Sequence, residues 1–461
     1  MEDEWTAGRW EEPLSLCHWL LKVVSAPGYA LAENDKLAIQ DIRHEFASSD
    51  DFKDLRRLVD GQDVPEAADG SPSHSSRIRA LMIRILCIAD FVCTTPYASQ
   101  YDGFRLVAEN ADAIVLDEAG GMHMADALMV WGTQCRPCAM AGDMRQLPPA
   151  VMERDRNRFR NQAAVSVLEH FQKTRNPTFV LNRQMRIVEG LFDLARQIIY
   201  PDVPGITYGE MARLSNHPVA RRIDAWAGAR YGYRPHPDKI LPVFLHCKDT
   251  ICEKSGTSRT NVLQNAAAIS FLDALVGSGA VKASDIAVIT PYRANRRKLE
   301  AVLASHPVLA DVAVSSIDAF HGREALVVVL VMCVAECSGP LFVANINRIC
   351  VSVTRQVDAL FIIGDIDTTD MAQLDGKQNK NLDKVQYVDA EDGLEVPVKV
   401  KAFGLLLRFF VENNRVVHFP MGHVTHPAEA KPEQMDSAED DRTGWQETDE
   451  MDPVGVIWVD W

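Results

Sequence analysis

Two adjacent carboxylates follow a short apolar segment in the first third of the chain. Residues 113–116 (AIVL) have the length and composition of a buried strand, and Asp117 and Glu118 come directly after them. A hard cation on a nucleotide prefers carboxylate oxygens, and a second carboxylate can orient the water that attacks phosphorus. The pair fits a magnesium ligand, Asp117, beside a water-orienting base, Glu118, although such pairs also occur on ordinary protein surfaces.

A second apolar segment delivers polar groups in the same way. Residues 138–141 are followed by Gly142-Asp143 and then by Gln146, just ahead of residues 147–149 (LPP). In open α/β sheets, ligands bind at the carboxyl ends of parallel strands. Two strands that each end in polar side chains therefore predict an α/β sheet with a site along one edge.

The remaining apolar patterns predict the elements that must hold such a site. Strands are predicted at residues 89–95, 243–246, 286–292, 325–334 and 360–363, and helices at residues 77–89, 154–172 and 262–275, with Asn261 as a helix cap. Residues 61–76 and 202–240 have the composition of loops, and residues 405–417 fit either a helix or a strand.

The net charge of −16 is unevenly distributed over the 461 residues. Residues 1–70 hold 16 acidic and 7 basic side chains, and residues 429–461 hold 11 acidic and 2 basic ones. The segment between them has 37 acidic and 39 basic residues. The overall acidity therefore does not argue against a phosphate-binding surface in the middle of the chain.

Composition limits the protein class in other ways. The hydrophobic fraction of 47% and charged fraction of 24% are ordinary for a globular protein. No apolar run approaches the roughly 20 residues of a membrane span, and the first residues are too acidic for a signal peptide. We expect an intracellular protein, nuclear or cytoplasmic, with reduced thiols. Cys135 and Cys138 form one CxxC pair, which without further ligands is more typical of structural thiols than of a metal site.

The two polar-ended strands resemble motifs of a known family. Residues 117–120 (DEAG) and 142–149 (GDMRQLPP) resemble motifs II and III of superfamily 1 helicases, most closely the nonsense-mediated-decay and Okazaki-nuclease-like group. Four later segments resemble further motifs in the family's order: residues 182–187 (NRQMRI), 289–292 (ITPY), 314–324 (VSSIDAFHGRE) and 347–355 (NRICVSVTR). The resemblance covers about residues 81–365 and implies an α/β fold with two RecA-like P-loop NTPase-type domains with parallel sheets.

The resemblance implies roles for individual residues in ATP and Mg²⁺ chemistry. Asp117 would bind Mg²⁺, Glu118 would orient water and Gln146 would sense the γ-phosphate, while Arg186 and Arg355 would stabilise charge on the transferred phosphoryl group. The nucleotide itself would contact a second group of residues: Met185, Gly322 and Glu324. Met185 stands where the family has a tyrosine that stacks on adenine, so it offers apolar contact without an aromatic face.

Other positions would contact a single strand of RNA or DNA. By resemblance these are Thr94, Thr95, Thr290, Tyr292 and Ser316. For the first four of these, the simpler alternative is a capping or turn residue at the end of a β-strand. The family's motifs contact the nucleic-acid backbone rather than the bases, so the sequence leaves RNA and DNA open.

Three more positions differ from the family pattern, and one motif is missing. Asn295 and His321 stand where the family has glutamine, and Cys350 replaces an asparagine. The family's phosphate-binding loop, GxxxxGK[ST], precedes motif II, and no such motif occurs in the 461 residues. We therefore expect a first domain that is truncated at its N-terminal side.

These observations predict four regions. They are an N-terminal helical and linker remnant (1–76), a partial first RecA-like domain (77–176), a second RecA-like domain (177–367), and an appended element with an acidic tail of disordered composition (368–461). Three functions stay open. The first is an ATP-dependent helicase, of the 5′–3′ type by family analogy, that lacks its phosphate loop. The second is a catalytically inactive nucleic-acid-binding or scaffold protein, and the third is a protein-interaction module that uses the acidic flanks.

Overall fold

A computed structural model describes residues 12–65, 72–133, 135–151, 157–256, 258–369, 384–388, 395–420 and 458–460. The chain divides into two compact units. Of the described residues, the smaller unit takes in those from 12 to 141 together with 458–460, and the larger unit takes in those from 142 to 420. No helix in the described ranges is both long and apolar enough to cross a membrane.

The smaller unit combines a helical core with short strands. Its helices are α1 (Leu16–Val23), α2 (Leu37–Ser48), α3 (Lys53–Val59), α4 (His74–Ile88), α5 (Asp102–Asn110) and α6 (Met124–Trp131), and its first three strands are β1 (Phe91–Cys93), β2 (Ile114–Leu116) and β3 (Cys138–Met140). Strands β2 and β3 pair in parallel, as the two polar-ended segments predicted. The predicted helix at 77–89 is confirmed as α4, whose start at His74 follows from a Ser73 cap that accepts the Ser76 N–H.

The larger unit is an α/β structure. Its helices are α7 (Arg160–Ala163), α8 (Val167–Lys173), α9 (Asp193–Ile198), α10 (Pro218–Tyr231), α11 (Val262–Gly277), α12 (Arg293–Ala304), α13 (Ile346–Ser352) and α14 (Lys401–Glu412). Its strands are β4 (Arg183–Gln184), β5 (Thr207–Tyr208), β6 (Val243–His246), β7 (Glu253–Ser255), β8 (Ser258–Thr260), β9 (Ile286–Thr290), β10 (Ala313–Ser316), β11 (Ala325–Val331), β12 (Gln356–Gly364), β13 (Lys384–Val388), β14 (Glu395–Lys399) and β15 (Val416–His418). A last strand, β16 (Trp458–Asp460), pairs antiparallel with β1 of the smaller unit.

Six parallel strands form the main sheet in the order β10-β9-β11-β12-β6-β15. The central strand β11 is buried on both faces: Val328 and Leu330 point into one hydrophobic core, and Val327, Val329 and Val331 point into the other. Side chains alternate between the faces of a strand, so a continuous apolar run is what a strand covered on both sides requires. The α/β class with a parallel sheet is confirmed.

The loop predicted for residues 202–240 is wrong in its second half. Helix α10 occupies Pro218–Tyr231, begins with a proline in its first turn and ends at Gly232, whose φ of +77° is left-handed. Its buried side chains include Ala220, Ile223 and Ala227, which recur at helical spacing. Small residues give a weak hydrophobic signal, and the proline, glycine and tyrosine around them indicated a loop.

The C-terminal part of the larger unit extends the sheet. Residues 405–417 contain most of α14 and the start of β15, so both alternatives for this stretch are represented. Strand β15 pairs in parallel with β6 and becomes the edge strand. Arg415, just before β15, is 2% exposed and donates to Asp224 of α10 at 3.1 Å. The prediction of disorder for residues 429–461 lies outside the described residues apart from β16.

Candidate functional site

Gln146 and Arg355, two of the predicted catalytic residues, meet in the larger unit. Arg355 donates from Nη2 to the Gln146 Oε1 oxygen at 2.7 Å, and His321 Nε2 lies 2.9 Å from the same oxygen. An amide oxygen only accepts, so this contact places the imidazole proton on Nε2. Arg355 is 3% exposed, which makes it a buried cation held by a neutral amide. We call these three residues the Gln146 cluster.

The sheet brings the members of the cluster together. Arg355 immediately precedes β12, and His321 lies in the segment that leads into β11. Neighbouring parallel strands start at the same edge, and the Ala325 N–H donates to the Arg355 carbonyl at 3.1 Å. Asn347 fixes the third member, because its side-chain amide donates to the Gln146 carbonyl at 2.6 Å. The cluster therefore lies at the amino edge of the sheet.

Tyr200 is linked to the Gln146 cluster through Asp143, and no sequence motif pointed to it. Its hydroxyl donates to Asp143 Oδ2, an oxygen that also accepts the Gln146 Nε2–H at 3.3 Å, and its oxygen lies 3.2 Å from the Cys350 sulfur. Burial raises the pKa of Tyr200 and raises the pKa of Cys350 to about 12, so both groups keep their protons. Cys350, which replaces the family's asparagine, thus still belongs to a polar contact. Because Tyr200 belongs to no motif, the only feature of the sequence that could have pointed to it is the apolar stretch just before it.

The second predicted arginine also has a partner from the predicted nucleotide site. Arg186 forms an ion pair with Glu324, which lies one residue before β11. Gly322 is exposed with a left-handed φ of +76°, a conformation that side chains rarely adopt. Met185 is 48% exposed, so its thioether remains available for an apolar contact. This part of the amino edge is therefore accessible, and it carries the charges of Arg186 and Glu324.

The predicted magnesium ligand lies in the smaller unit. Asp117 and Glu118 follow β2 and are both exposed, and the Glu118 N–H donates to Asp117 Oδ1 at 2.8 Å. Strand β3 holds the turn, because the Ala119 N–H donates to the Ala141 carbonyl at 2.8 Å. Glu118 has a φ of +49°, an uncommon conformation outside glycine that is enriched at functional sites. Exposed carboxylate oxygens suit Mg²⁺, which keeps several waters when bound.

Two of the predicted nucleic-acid contacts are buried instead of facing solvent. Thr290 is fully buried and accepts a hydrogen bond from the Asn295 amide at 3.0 Å. Tyr292 is 6% exposed, and its ring lies 5.7 Å from that of Phe342. Neither side chain presents surface to a ligand in this conformation, because both pack into the protein. Their direct contact with a nucleic-acid strand stays a prediction. Such contact requires the carboxyl edge of the sheet, where both residues lie, to open.

The other three residues predicted to contact nucleic acid lie at the ends of β-strands: Ser316 is the last residue of β10, and Thr94 and Thr95 directly follow β1. Ser316 is half-buried and accepts the Ala319 N–H at 3.2 Å, and Thr95 accepts the Ala98 N–H at 3.2 Å. The Thr94 hydroxyl is enclosed and has no hydrogen-bond partner among the described residues. Thr95 thus has the capping role that was its simpler alternative, and Ser316 accepts a similar local hydrogen bond. Contact of either residue with nucleic acid remains untested.

Thr290 belongs to a neutral network at the carboxyl edge of the sheet. Asn295 accepts the Asn261 N–H at 3.1 Å, and Asn261 caps α11 by accepting the Gln264 N–H at 3.0 Å. Asn261 and Gln264 both donate to the Thr250 hydroxyl at 3.1 Å. These five residues, Thr250, Asn261, Gln264, Thr290 and Asn295, are each at most 3% exposed, and we call them the carboxyl-edge network. The predicted cap at Asn261 is confirmed.

Comparisons with known proteins agree with this organisation. Two family models, each described as an AAA domain, match residues 33–154 and 163–367. The DNA-binding protein SMUBP-2 of Mus musculus is 27% identical over 318 residues, which cover 63% of this chain and 29% of that protein. A Regulator of nonsense transcripts 1 homolog of Neurospora crassa is 26% identical over 292 residues, covering 61% of this chain and 25% of its own length.

A third relative matches more of the chain. The 5′-3′ DNA helicase ZGRF1 of Mus musculus is 23% identical over 329 residues, which cover 70% of this chain and 16% of that helicase. The chain therefore matches less than a third of the length of each of these relatives.

Proposed function

Because this chain belongs to the superfamily 1 helicases of the nonsense-mediated-decay and Okazaki-nuclease-like type, we propose that it couples ATP hydrolysis to movement on single-stranded nucleic acid. The observation that carries the proposal is the Gln146 cluster. A buried arginine and an imidazole converge on one amide at the amino edge of the sheet, beside the Arg186–Glu324 pair. Guanidinium groups held in place by the fold are suited to charge that develops on a transferred phosphoryl group.

Each predicted catalytic residue has a role in this proposal. Gln146 senses the γ-phosphate, Arg355 and Arg186 stabilise transition-state charge, Asp117 binds Mg²⁺ and Glu118 orients the attacking water. ATP and Mg²⁺ fit the carboxylates and guanidinium groups that the chain supplies. The 461 residues contain no GxxxxGK[ST] motif, whose amides and lysine would hold the phosphates. Because positioning provides most of the catalysis of phosphoryl transfer, we expect slow turnover unless such a loop completes the nucleotide site.

The proposed substrate is a single strand of RNA or DNA. SMUBP-2 is named a DNA-binding protein and ZGRF1 a 5′-3′ DNA helicase, which favours strand binding and 5′–3′ movement for this chain as well. The middle of the chain, which contains the motifs, has slightly more basic than acidic residues. The acidic flanks would repel a strand, so we assign them to protein partners.

The test is ATP hydrolysis by the 461-residue protein with and without a single-stranded oligonucleotide. We expect slow hydrolysis that the oligonucleotide stimulates and that both Glu118→Gln and Arg355→Gln abolish. A rate that Glu118→Gln leaves unchanged would come from a contaminant and would contradict the proposal. Oligonucleotide binding is measured in the same samples, and its affinity should fall with rising salt.

A second candidate function is strand binding without hydrolysis. It is favoured by the missing phosphate loop and by the half-exposed Met185 in place of an adenine-stacking tyrosine. It predicts salt-sensitive oligonucleotide binding, no turnover above buffer, and no effect of Arg355→Gln on affinity. The hydrolysis measurement therefore separates the two functions.

A further inference from the structure

Helix α12 of the larger unit carries four basic residues near its start, and none of them belongs to the Gln146 cluster. They are Arg293, Arg296, Arg297 and Lys298. Arg296 is half-buried, and the other three are exposed. The helix contains one acidic residue, Glu300, so it has a net positive charge. We call the four basic side chains the α12 basic surface.

The charges of this surface are poorly neutralised by the protein itself. Within the described part of the chain, Arg296, Arg297 and Lys298 form no ion pair, and neither does Glu300. Exposed basic residues elsewhere in the fold do find carboxylates, as Arg348 does with Asp318 at 3.0 Å. The α12 basic surface therefore keeps positive charge that an anionic ligand can neutralise.

The stability of the helix does not explain these residues. Arg293 and Arg297 lie one turn apart, and like charges at that spacing destabilise a helix. The helix dipole also disfavours cations near the start of a helix, and the first turn of α12 contains no acidic residue that would compensate. The four cations therefore lower the stability of α12, and a bound anion would offset that cost.

Buried contacts hold the α12 basic surface at the carboxyl edge of the sheet. Strand β9 ends at Thr290, and α12 begins three residues later. The buried side chains of the helix, Asn295, Leu299 and Leu303, recur every four residues, so the cations occupy the remaining surface of the helix. Asn295 also belongs to the carboxyl-edge network. The network and the core therefore fix the helix that presents the cations.

The β7–β8 hairpin lies beside the start of α12 and adds positive charge to the same edge. The Ala294 N–H donates to the Ser258 hydroxyl at 3.1 Å, which joins the helix to β8. Lys254 is exposed and lies opposite Arg259 in the hairpin. The two strands and α12 together contain six basic and two acidic residues, although the chain as a whole has a charge of −16. A polyanion would therefore meet local positive charge at this edge.

We propose that the α12 basic surface binds the phosphate backbone of a single strand of RNA or DNA. The inference rests on the proposed function for its substrate and does not depend on ATP hydrolysis. Three of the four cations are arginines, whose planar guanidinium groups can donate two parallel hydrogen bonds to phosphate oxygens. Thr290 and Tyr292 are enclosed just before the helix, so a strand at this edge meets the side chains of α12 without any opening of the sheet.

The test is the binding of a fluorescein-labelled single-stranded oligonucleotide to the 461-residue protein, measured by fluorescence anisotropy without ATP at several salt concentrations. Each cation that neutralises a phosphate adds about 0.7 to the steepness of log affinity against log salt for a single strand. The double variant Arg297→Gln/Lys298→Gln should therefore make this slope shallower by about 1.4 and weaken binding by about 10-fold or more at about 0.1 M salt. Because phosphates carry no sequence information, strands of different base sequence should show the same changes.

A matched double variant controls for the change in overall charge. Arg221→Gln/Arg222→Gln removes two positive charges from exposed positions on helix α10 and should leave the slope unchanged and the affinity within about twofold. The charge-preserving variant Arg297→Lys/Lys298→Arg should keep the wild-type slope, because counterion release depends on charge. Equal losses in the α12 and α10 double variants would overturn the proposal.

The outcomes separate this inference from the proposed function. If the wild type and Arg297→Gln/Lys298→Gln bind the strand equally well, the α12 basic surface is not the binding site, and the proposed function still stands. If the wild type binds no strand, the proposed function fails together with the inference. Poly-glutamate that displaces the strand at an equal concentration of charge would assign the surface to an acidic protein segment and would also overturn the proposal.

Discussion

The two edges of the six-stranded sheet differ in how they treat polar groups. At the amino edge, charged side chains remain partly accessible: Arg186 and Glu324 pair at the surface, and buried Arg355 contacts Gln146. In the carboxyl-edge network, the polar groups are neutral amides and hydroxyls, and Asn261 and Asn295 are completely buried. The amino edge therefore has the chemistry to contact an anionic ligand, whereas the carboxyl-edge network uses its polar groups to hold its own loops.

This difference shows that residues from segments that resemble motifs of one family can have different physical roles in the fold. Thr290 and Gln146 both belong to segments that resemble helicase motifs. Thr290 forms a hydrogen bond within a network that excludes water, while the Gln146 oxygen accepts from two groups that could also bind phosphate. A buried polar group that loses its partner costs free energy. Mutations in the carboxyl-edge network should therefore mainly lower the free energy of unfolding, whereas mutations at the amino edge should mainly lower the rate of ATP hydrolysis.

The largest expected effect on stability is that of Asn261→Ala. The change removes the cap of α11 and leaves Thr250 and the Cys333 carbonyl without the hydrogen bonds that Asn261 donates. We expect the free energy of unfolding to fall by about 3 kcal/mol, measured by urea denaturation. The matched control is Asn345→Ala, which removes an asparagine cap from α13 at a half-buried position and should cost about 1 kcal/mol. Equal losses would mean that the carboxyl-edge network adds nothing beyond the cap.

Tyr200→Phe should have a smaller effect on stability and a separate effect on activity. The ring can still stack on Phe192, at 5.7 Å, but the hydrogen bonds to Asp143 and Cys350 are lost. We expect a loss of about 1 to 1.5 kcal/mol together with slower oligonucleotide-stimulated ATP hydrolysis, because Asp143 orients Gln146.

The matched control for Tyr200 is Tyr208→Phe. Its hydroxyl donates to Asp193 at 3.2 Å in the same unit, and Asp193 is not part of the Gln146 cluster. It should also lose about 1 kcal/mol and keep its rate of hydrolysis. If both variants hydrolyse ATP at the same reduced rate, Tyr200 has only a structural role.

The smallest expected effect is a pH dependence at the carboxyl edge. Burial lowers the pKa of His246, which is 2% exposed, although Asp365 and Asp367 favour its charged form. A lowered folded-state pKa gives stability that is present above the unfolded value of 6.5 and is lost as the pH falls through the folded value. From pH 7 to pH 5.5 the wild type should therefore lose up to about 1 kcal/mol more than His246→Asn in urea denaturation. A larger loss in the variant would have the wrong sign for a lowered pKa.

Much of the sheet was predictable because its strands are buried on both faces. Continuous apolar runs indicated β6, β9, β11 and β12 to within a few residues, and the two-strand pair in the smaller unit followed from polar residues after short apolar segments. Helix α10 was missed because most of its buried residues are small. The partnership of Asp224 with Arg415 joins positions far apart in the chain, which no local pattern reveals.

The candidate site was predictable as a set of residue types and not as an arrangement. The motifs identified Gln146, Arg355 and Arg186, but the contact of His321 with Gln146 depends on two strands starting at the same edge. Thr290 ends β9 and forms its hydrogen bond with Asn295 on the following helix, α12. Its burial results from tertiary packing, which the sequence pattern does not show. Tyr200 belongs to no motif, and only the folded chain places it on Asp143.

The most direct test of the central claim is oligonucleotide-stimulated ATP hydrolysis by Gln146→Ala compared with the wild type. If the Gln146 cluster serves nucleotide chemistry, the stimulated rate should fall by about 100-fold or more, while the free energy of unfolding should fall by about 1 to 2 kcal/mol, because buried Arg355 loses its 2.7 Å hydrogen bond to the amide oxygen. Stimulated hydrolysis by Gln146→Ala at the wild-type rate would contradict the account, because the amino edge would then contribute structure without catalysis.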